Sequence, residues 1–434
     1  MSNPLLHLFI TTVSSGSGEV DLDSLDEIFD SVTDSPIFKD REKLLPDYIP
    51  ERLVHREQEL TRLAQTLAVA LRGERPNNVF IYGLTGTGKT AAVKLVMRKL
   101  SDRASTRGVR LYPVYINVRQ RDTPYRVMSD IAETIGLRIP FTGLATSEVF
   151  RRFMVKAKRL SGIMIIVLDE IDFLVKKHGD DILYKLLRAN EELENFKISI
   201  VGITNSISFV ENLDPRVKSS LGEEEIVFSP YNAQQLNDIL SERASLAFKD
   251  NVLDDDVIPL CAALAAREHG DARRALDLLR VAGEIAERQG ERKVTSRHVM
   301  AARIEIERDR VVEIVRTLPM HGKLVLAAVT AMTRGGKNKT TTGEVYDYYR
   351  KLVARLGIEE VTFRRVSGII GELDMLGIIR TRTISRGRYG KTRYIELASS
   401  YKPIIDVLAE DSSLEYIARS LEEVVNVSEN SRSL

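Results

Sequence analysis

The stretch GLTGTGKT, Gly83 to Thr90, lies between a strand-length apolar run, VFIY (79–82), and a helix-period run, AAVKLVMRKL (91–100). It fills all the fixed positions of G-x-x-x-x-G-K-[ST], and it sits at the strand-to-helix turn where that pattern has its meaning. Glycines at 83, 86 and 88 let the backbone curl so that its N–H groups point inward at phosphate oxygens, and the N-terminus of the next helix adds partial positive charge. Thr85, Thr87 and Ala91 complete the cradle. Lys89 is expected to reach the β- and γ-phosphates, and Thr90 to ligate magnesium. A glycine-rich turn with no ligand is the rival reading, and a fully matched motif in the right context argues against it.

A phosphate cradle of this kind requires a parallel sheet behind it. Further strand-length runs, LYPVYI (111–116), IMIIVL (163–168) and ISIVGI (198–203), alternate with helical periodicity, which is the pattern of a parallel sheet covered by helices. The third run continues into Asp169 and Glu170. A carboxylate at the end of a strand buried on both faces is placed to hold magnesium, usually through water. Glu170, one residue on, is then positioned to orient and deprotonate a water for attack on the γ-phosphate. The fourth run ends at Asn205, which either shares that water or is an ordinary turn residue.

From about Tyr231 to Glu305 only helical periodicity remains, and after Ile306 helices give way to a β-like tail. The expected organisation is a tail over 1–19, an α/β P-loop domain over 20–230, an all-helical lid over 231–305, a winged helix-turn-helix domain over 306–400 and a helical tail over 401–434. A chain of 434 residues, 43% hydrophobic and 29% charged, has enough apolar surface for several cores. One cysteine, Cys261, rules out an intramolecular disulfide, and the six histidines show no zinc spacing. A reducing, cytoplasmic setting fits. The apolar run in PLLHLFITTV is too short to span a bilayer and lacks a cleavage pattern, so neither a targeting signal nor a membrane partner is expected.

The formal net charge of +1 hides an asymmetry: residues 19–34 carry seven acids and no base, whereas 361–394 carry eight bases and two acids. The acidic run reads as a solvated face. The basic one has structural context. Thr341 to Glu344 fit a capping box that opens a helix with Val345, Tyr349, Leu352 and Leu356 on one face. A second helix is expected over Val361 to Leu376, burying Phe363, Val366, Ile370 and Leu373 and turning Arg364, Arg365, Ser367, Gly368 and Gly371 outward. Two strands around IIRTRTI and TRYIEL follow, joined by a tip that carries Arg386, Arg388, Tyr389, Lys391 and Arg393. A helix with a basic wing beside it is a DNA-docking geometry: the helix enters the major groove and most arginines meet phosphate. A surface hairpin rich in arginine is the bland alternative.

Taken together, GLTGTGKT, VLDEID, GITNS, LDPRVKSSL (213–221) and GDARRALDLL (270–279) resemble the AAA+ ATPases, in particular the archaeal initiators similar to the origin recognition complex large subunit and the cell-division-cycle helicase loader. DYIPERLVHREQELTRLAQTL (47–67) also matches that group, and the resemblance covers about 20–400. It implies that Tyr48, Ile49, Pro50, His55 and Arg56 pack on adenine, which favours ATP over GTP. It implies that Arg273 acts as the sensor-2 arginine, reaching from the lid to the γ-phosphate. Arg216 lies in the region that supplies a trans-acting arginine finger, although eukaryotic relatives carry an arginine where this chain has Ser220. The family also inserts a DNA-touching helical element at 118–143, which would aim Arg119, Arg121 and Arg126 at phosphate; an ordinary surface helix is the alternative.

The function implied is that of an initiator regulated by ATP. It binds double-stranded origin DNA beside identical or paralogous subunits, hydrolyses ATP slowly as a state switch, and helps recruit or load the replicative helicase, all at the nucleoid of an archaeal cell. An ATP-dependent transcriptional regulator would use the same modules at promoters. A metabolic P-loop enzyme would need an acceptor pocket, and the sequence shows no sign of one.

Overall fold

The computed structural model describes residues 35–206, 208–221, 223–334, 339–385 and 391–430, which fall into two compact units that divide at Val299 and Met300. The first unit is built on five parallel strands: β1 (Asn78–Gly83), β2 (Leu111–Asn117), β3 (Gly162–Asp169), β4 (Phe196–Thr204) and β5 (Glu223–Phe228), in the order β2-β3-β4-β1-β5. Alternate residues serve opposite faces, as strand geometry requires. Val79, Ile81, Ile165 and Val167 pack beneath α1 (Glu57–Ala68) and α2 (Lys89–Thr106). Phe80, Tyr82, Ile166 and Leu168 meet α3 (Pro124–Thr134), α4 (Thr146–Ala157), α5 (Ile171–His178) and α6 (Asp181–Arg188) on the other. With both faces covered, the strands are continuous apolar runs.

β5 is the strand that hydrophobic pattern does not announce. Its sequence, EEEIVF, sits at the sheet edge and pairs only with β1; Val227 is 59% exposed, while Ile226 and Phe228 are buried. An edge strand needs few apolar positions and tolerates glutamates that face water. A short helix, α7 (Pro215–Leu221), precedes it.

Three longer helices, α8 (Ala233–Ala247), α9 (Val257–Arg267) and α10 (Ala272–Arg288), form the lid. Asn232 and Gln235 cap α8 reciprocally, and the Asp271 carboxylate accepts from the N–H groups of Arg273 and Arg274 at the start of α10. The segment ahead of α1, assigned by sequence to the P-loop domain, packs on this layer. The ring of Phe38 lies 4.9 Å from that of Phe248, and Arg243 donates to the carbonyls of Lys43 and Tyr48.

α11 (Ser296–Thr317) carries the chain across the division. In the second unit α12 (Met320–Arg334), α13 (Thr342–Leu356) and α14 (Phe363–Met375) pack with a three-stranded antiparallel sheet of β6 (Thr340–Thr341), β8 (Lys391–Leu397) and β7 (Ile379–Ser385), followed by α15 (Tyr401–Glu410) and α16 (Glu415–Asn430). Thr341 caps α13, and the Glu344 side chain returns the bond to the Thr341 N–H. The expected core face of α14 holds at Val366, Ile370 and Leu373 and changes at one residue, with Ile369 inside in place of Phe363. Val366, Ile369, Ile370 and Leu373 are buried, whereas Phe363 is 47% exposed. Thr362 is the N-cap, so Phe363 falls in the first residue of the helix and packs edge-on against Tyr346 at 5.3 Å instead of entering the core. Val353 likewise joins Val345, Tyr349 and Leu352 inside, leaving Leu356 partly buried. Among the described residues no helix is long and apolar enough to cross a membrane.

Candidate functional site

The carboxyl ends of β1, β2, β3 and β4 open on one cavity of about 530 Å³, closed on the far side by the first turn of α10 and by residues 45–54. Open α/β sheets bind ligands at this edge. Thr85 to Ala91, Asp169, Glu170, Asn205, Arg273, Tyr48, Ile49 and Pro50 all line it. The fold thus gathers residues from five separate stretches of sequence.

Lys89 is 6% exposed and donates to the carbonyls of Gly83 and Leu84, each at 2.7 Å, and to Asn205 Oδ1 at 2.9 Å. Burial lowers its pKa to about 8, with Arg273 pushing the same way and Asp169 opposing. An amine so held gives up little on exchanging carbonyls for phosphate oxygens. The Thr90 hydroxyl donates to Asp169 Oδ2 at 2.8 Å although β4 lies between β1 and β3 in the sheet. A hydroxyl that spends its proton on a carboxylate keeps lone pairs for a cation, so Thr90 and Asp169 together suit magnesium, a hard ion that takes few protein oxygens. Tyr115, on β2, donates to the same Oδ2 at 2.6 Å. Burial, then the bond to Asp169, raises the Tyr115 pKa, which keeps the phenol a donor.

Glu170 has φ 58° and ψ 41°, a left-handed conformation uncommon outside glycine and asparagine. It turns β3 sharply into α5, and its N–H donates to Asp169 Oδ1 at 3.0 Å. The carboxylate faces the cavity and lies 3.6 Å from the Arg119 guanidinium. A non-glycine residue held in this conformation at the mouth of a cavity is a place where strain and function ordinarily coincide.

Two glycines meet backbone limits. A Cβ on Gly83 would come 2.4 Å from the Phe228 carbonyl, and one on Gly86 would come 1.7 Å from Asp271 Oδ1. Gly86 also accepts from the Ala272 N–H at 3.1 Å, so the start of the lid helix rests directly on the P-loop and sets Arg273 at the cavity.

His55 and Arg56 depart from their expected place. Neither lines the cavity: the His55 ring meets Asp238 at 2.7 Å, and Arg56 is 3% exposed beneath the P-loop. Arg56 donates to the Thr87 carbonyl, the Tyr231 hydroxyl, the Ser229 carbonyl and Glu59, and its guanidinium lies 3.9 Å from the Tyr231 ring centroid. A planar cation with five donors suits that joint between cradle and lid. Arg216 also lies off this cavity, exposed and paired with Asp214 at 3.0 Å.

The basic residues suggested for DNA divide in three ways. Arg119, Arg121 and Arg126 are exposed on the surface that includes α3, each beside an acid: Glu170, Asp130 and Asp122. Arg364 and Arg365 are exposed at the start of α14, where Arg365 donates to Glu372 at 2.8 Å. Ser367 and Arg393 are partly buried, and Arg393 donates to the Ser367 carbonyl at 3.4 Å, so it ties wing to helix instead of standing free. Lys391 opens β8, while Arg386, Arg388 and Tyr389, like the acidic run at 19–34, lie outside the described residues.

Known proteins repeat this arrangement. Residues 52–201 match the AAA ATPase domain, 237–304 the Cdc6 AAA+ ATPase-type lid domain and 313–407 the CDC6 C-terminal winged helix domain. The ORC1-type DNA replication protein 1 of Sulfurisphaera tokodaii is 60% identical over 90% of this chain and 97% of its own length, and the ORC1-type DNA replication protein of Thermococcus onnurineus is 48% identical over 91% and 96%. The solved structure of the Aeropyrum pernix ORC1 protein in complex with DNA superposes with a TM-score of 0.81 at 60% identity, covering 88% of this chain and all of that one. A nucleotide-binding AAA+ domain with a lid on its P-loop, followed by a winged helix, places the chain in the family of ORC1-type DNA replication proteins.

Proposed function

We propose that the chain is an origin-binding initiator whose grip on DNA and on its partners is set by bound ATP or ADP. The observation that carries this reading is the cavity in which Lys89, Thr90, Asp169, Glu170, Asn205 and Arg273 converge, within a chain that ends in a winged helix. Lys89 and the P-loop N–H groups bind the phosphates, Tyr48, Ile49 and Pro50 border the base, and Thr90 with Asp169 hold magnesium, which supplies charge neutralisation at the phosphates when bound. Glu170 orients a water and takes its proton, Asn205 fixes the same water, and Arg273 reports the phosphate state to the lid. Arg119 is engaged by Glu170, Arg273 is the arginine we assign to the γ-phosphate among the described residues, and Arg216 is suited to serve a neighbour's cavity. Hydrolysis by a lone subunit is therefore slow, because charge from a docking partner is part of the site.

The winged helix would grip double-stranded DNA through α14 and the hairpin between β7 and β8, with Arg119, Arg121 and Arg126 touching phosphate as a second contact. The related Aeropyrum pernix ORC1 protein, solved in complex with DNA, supports that reading by kinship. Identical or paralogous subunits on origin DNA, and recruitment or loading of the replicative helicase, complete the role, in the cytoplasm at the nucleoid. Mapping the chain's bound sites across its genome together with nascent-strand abundance tests the reading. Sites at peaks of nascent strands are expected; sites at promoters without such peaks would favour the transcriptional regulator instead.

A further inference from the structure

Asp169 is held by more than the P-loop threonine. Three donors reach its carboxylate from three elements: Thr90 of α2 at 2.8 Å and Tyr115 of β2 at 2.6 Å, both on Oδ2, and the N–H of Glu170 at 3.0 Å on Oδ1. A carboxylate turns about its Cβ–Cγ bond unless both oxygens are restrained. Here the N–H restrains one and the two hydroxyls the other. Thr90 has a second duty, since its oxygen is needed by the cation. Tyr115 has no such conflict: it faces the cavity from a strand locked in register with β3, Asn117 opposite Asp169, and Lys94 Nζ sits 4.6 Å from its ring centroid.

We infer that Tyr115 is a positioning residue that sets the orientation of the Asp169 carboxylate toward the magnesium of a bound nucleotide, an inference that rests on the magnesium–nucleotide reading of the cavity. Outer partners of this kind fix the direction of a metal-binding carboxylate and ordinarily change metal affinity by about 10- to 100-fold when removed. The phenol would leave affinity for the nucleotide alone untouched, because it lies on the carboxylate and not on the P-loop.

The test uses the full chain and a fluorescent ADP, titrated with EDTA and again with magnesium. In the parent, the ratio of the two Kd values is the magnesium-dependent gain. For Tyr115→Phe the Kd in EDTA is expected to stay within about twofold, while the gain falls by about 10-fold. An unchanged gain overturns the inference, and so does an equal weakening with and without magnesium, which is what a merely structural ring would give. Tyr115→Leu is the companion variant: it removes ring and hydroxyl together, so a gain that survives in Tyr115→Phe but falls in Tyr115→Leu would assign the effect to local packing and overturn the role. A parent that binds ADP with no gain from magnesium overturns the reading of the cavity itself. Circular dichroism of each variant confirms that the comparison is between folded chains.

Discussion

Lys89 and Arg364 carry the same charge and are held in opposite ways. Lys89 is 6% exposed and donates to three oxygens, two from the P-loop and one from Asn205, a residue 116 positions away in sequence. Arg364 stands exposed on the first turn of α14, and among the described residues the guanidinium of its neighbour Arg365 is paired with Glu372, seven positions on in the same helix. The cavity fixes its charge in one place before a ligand arrives, as the proposed chemistry at a phosphate would require. The winged-helix face leaves its charges in water, where a polyanion can gather them by releasing its own counterions. One region should therefore respond to single substitutions by large, specific losses. The other should respond by small, additive ones.

The largest expected effect is at Glu170. Glu170→Gln removes the proton acceptor and keeps the shape, so turnover of ATP should fall by about 100- to 10,000-fold while ADP binding is retained. Hydrolysis assays beside equilibrium binding decide it, and undiminished turnover would move the base elsewhere. Lys89→Ala gives the complementary loss, of nucleotide binding itself. It carries a pH signature as well. The free amine is lowered to about 8, and phosphate favours its charged form. Below pH 8 the amine is already charged and binding is full; above it, each binding event must take up a proton, so parent affinity should fall by up to about tenfold per pH unit.

Arg56 breaks the comparison in an instructive direction, since it is buried like Lys89 yet does not itself line the cavity, and instead holds two residues that do, Thr87 and Tyr231. Arg56→Ala strands Glu59 and the carbonyls of Thr87 and Ser229, at a cost of about 2–4 kcal/mol. Thermal unfolding of the full chain measures it. Arg56→Lys should restore little, because one ammonium cannot replace a fork that serves four partners. A neutral outcome would return Arg56 to the role of a base contact.

What could be read ahead of the structure follows the same division. The P-loop, the Asp169–Glu170 pair, the capping box at Thr341 and the alternation of strands are contiguous patterns whose physics is local, and they were legible. Arg56 was expected on the base and is instead buried off the cavity, because its acceptors, two carbonyls, a hydroxyl and the Glu59 carboxylate, are assembled around it only by the fold. Tyr115 is one of two tyrosines in a strand that reads LYPVYIN; only the pairing of β2 with β3 brings it to Asp169. β5 was missed because an edge strand can be half glutamate. Phe363 was assigned inward because periodicity alone does not reveal that Thr362 begins the helix.

The smallest effects belong to the DNA face, and there the graded differences carry the argument. Each lysine or arginine that neutralises a phosphate contributes about 0.9 to the slope of log affinity against log salt. Arg364→Ala should flatten that slope by about one unit and weaken all duplexes alike. Arg365→Ala should flatten it less, because Glu372 at 2.8 Å already offsets part of its charge. The double variant Arg386→Ala with Arg388→Ala should flatten it by about one to two units. Salt titrations on one origin duplex and one unrelated duplex separate these cases. Equal slopes for parent and Arg364→Ala would mean that α14 does not lie against phosphate, and a loss confined to the origin duplex would mean that Arg364 reads a base edge instead.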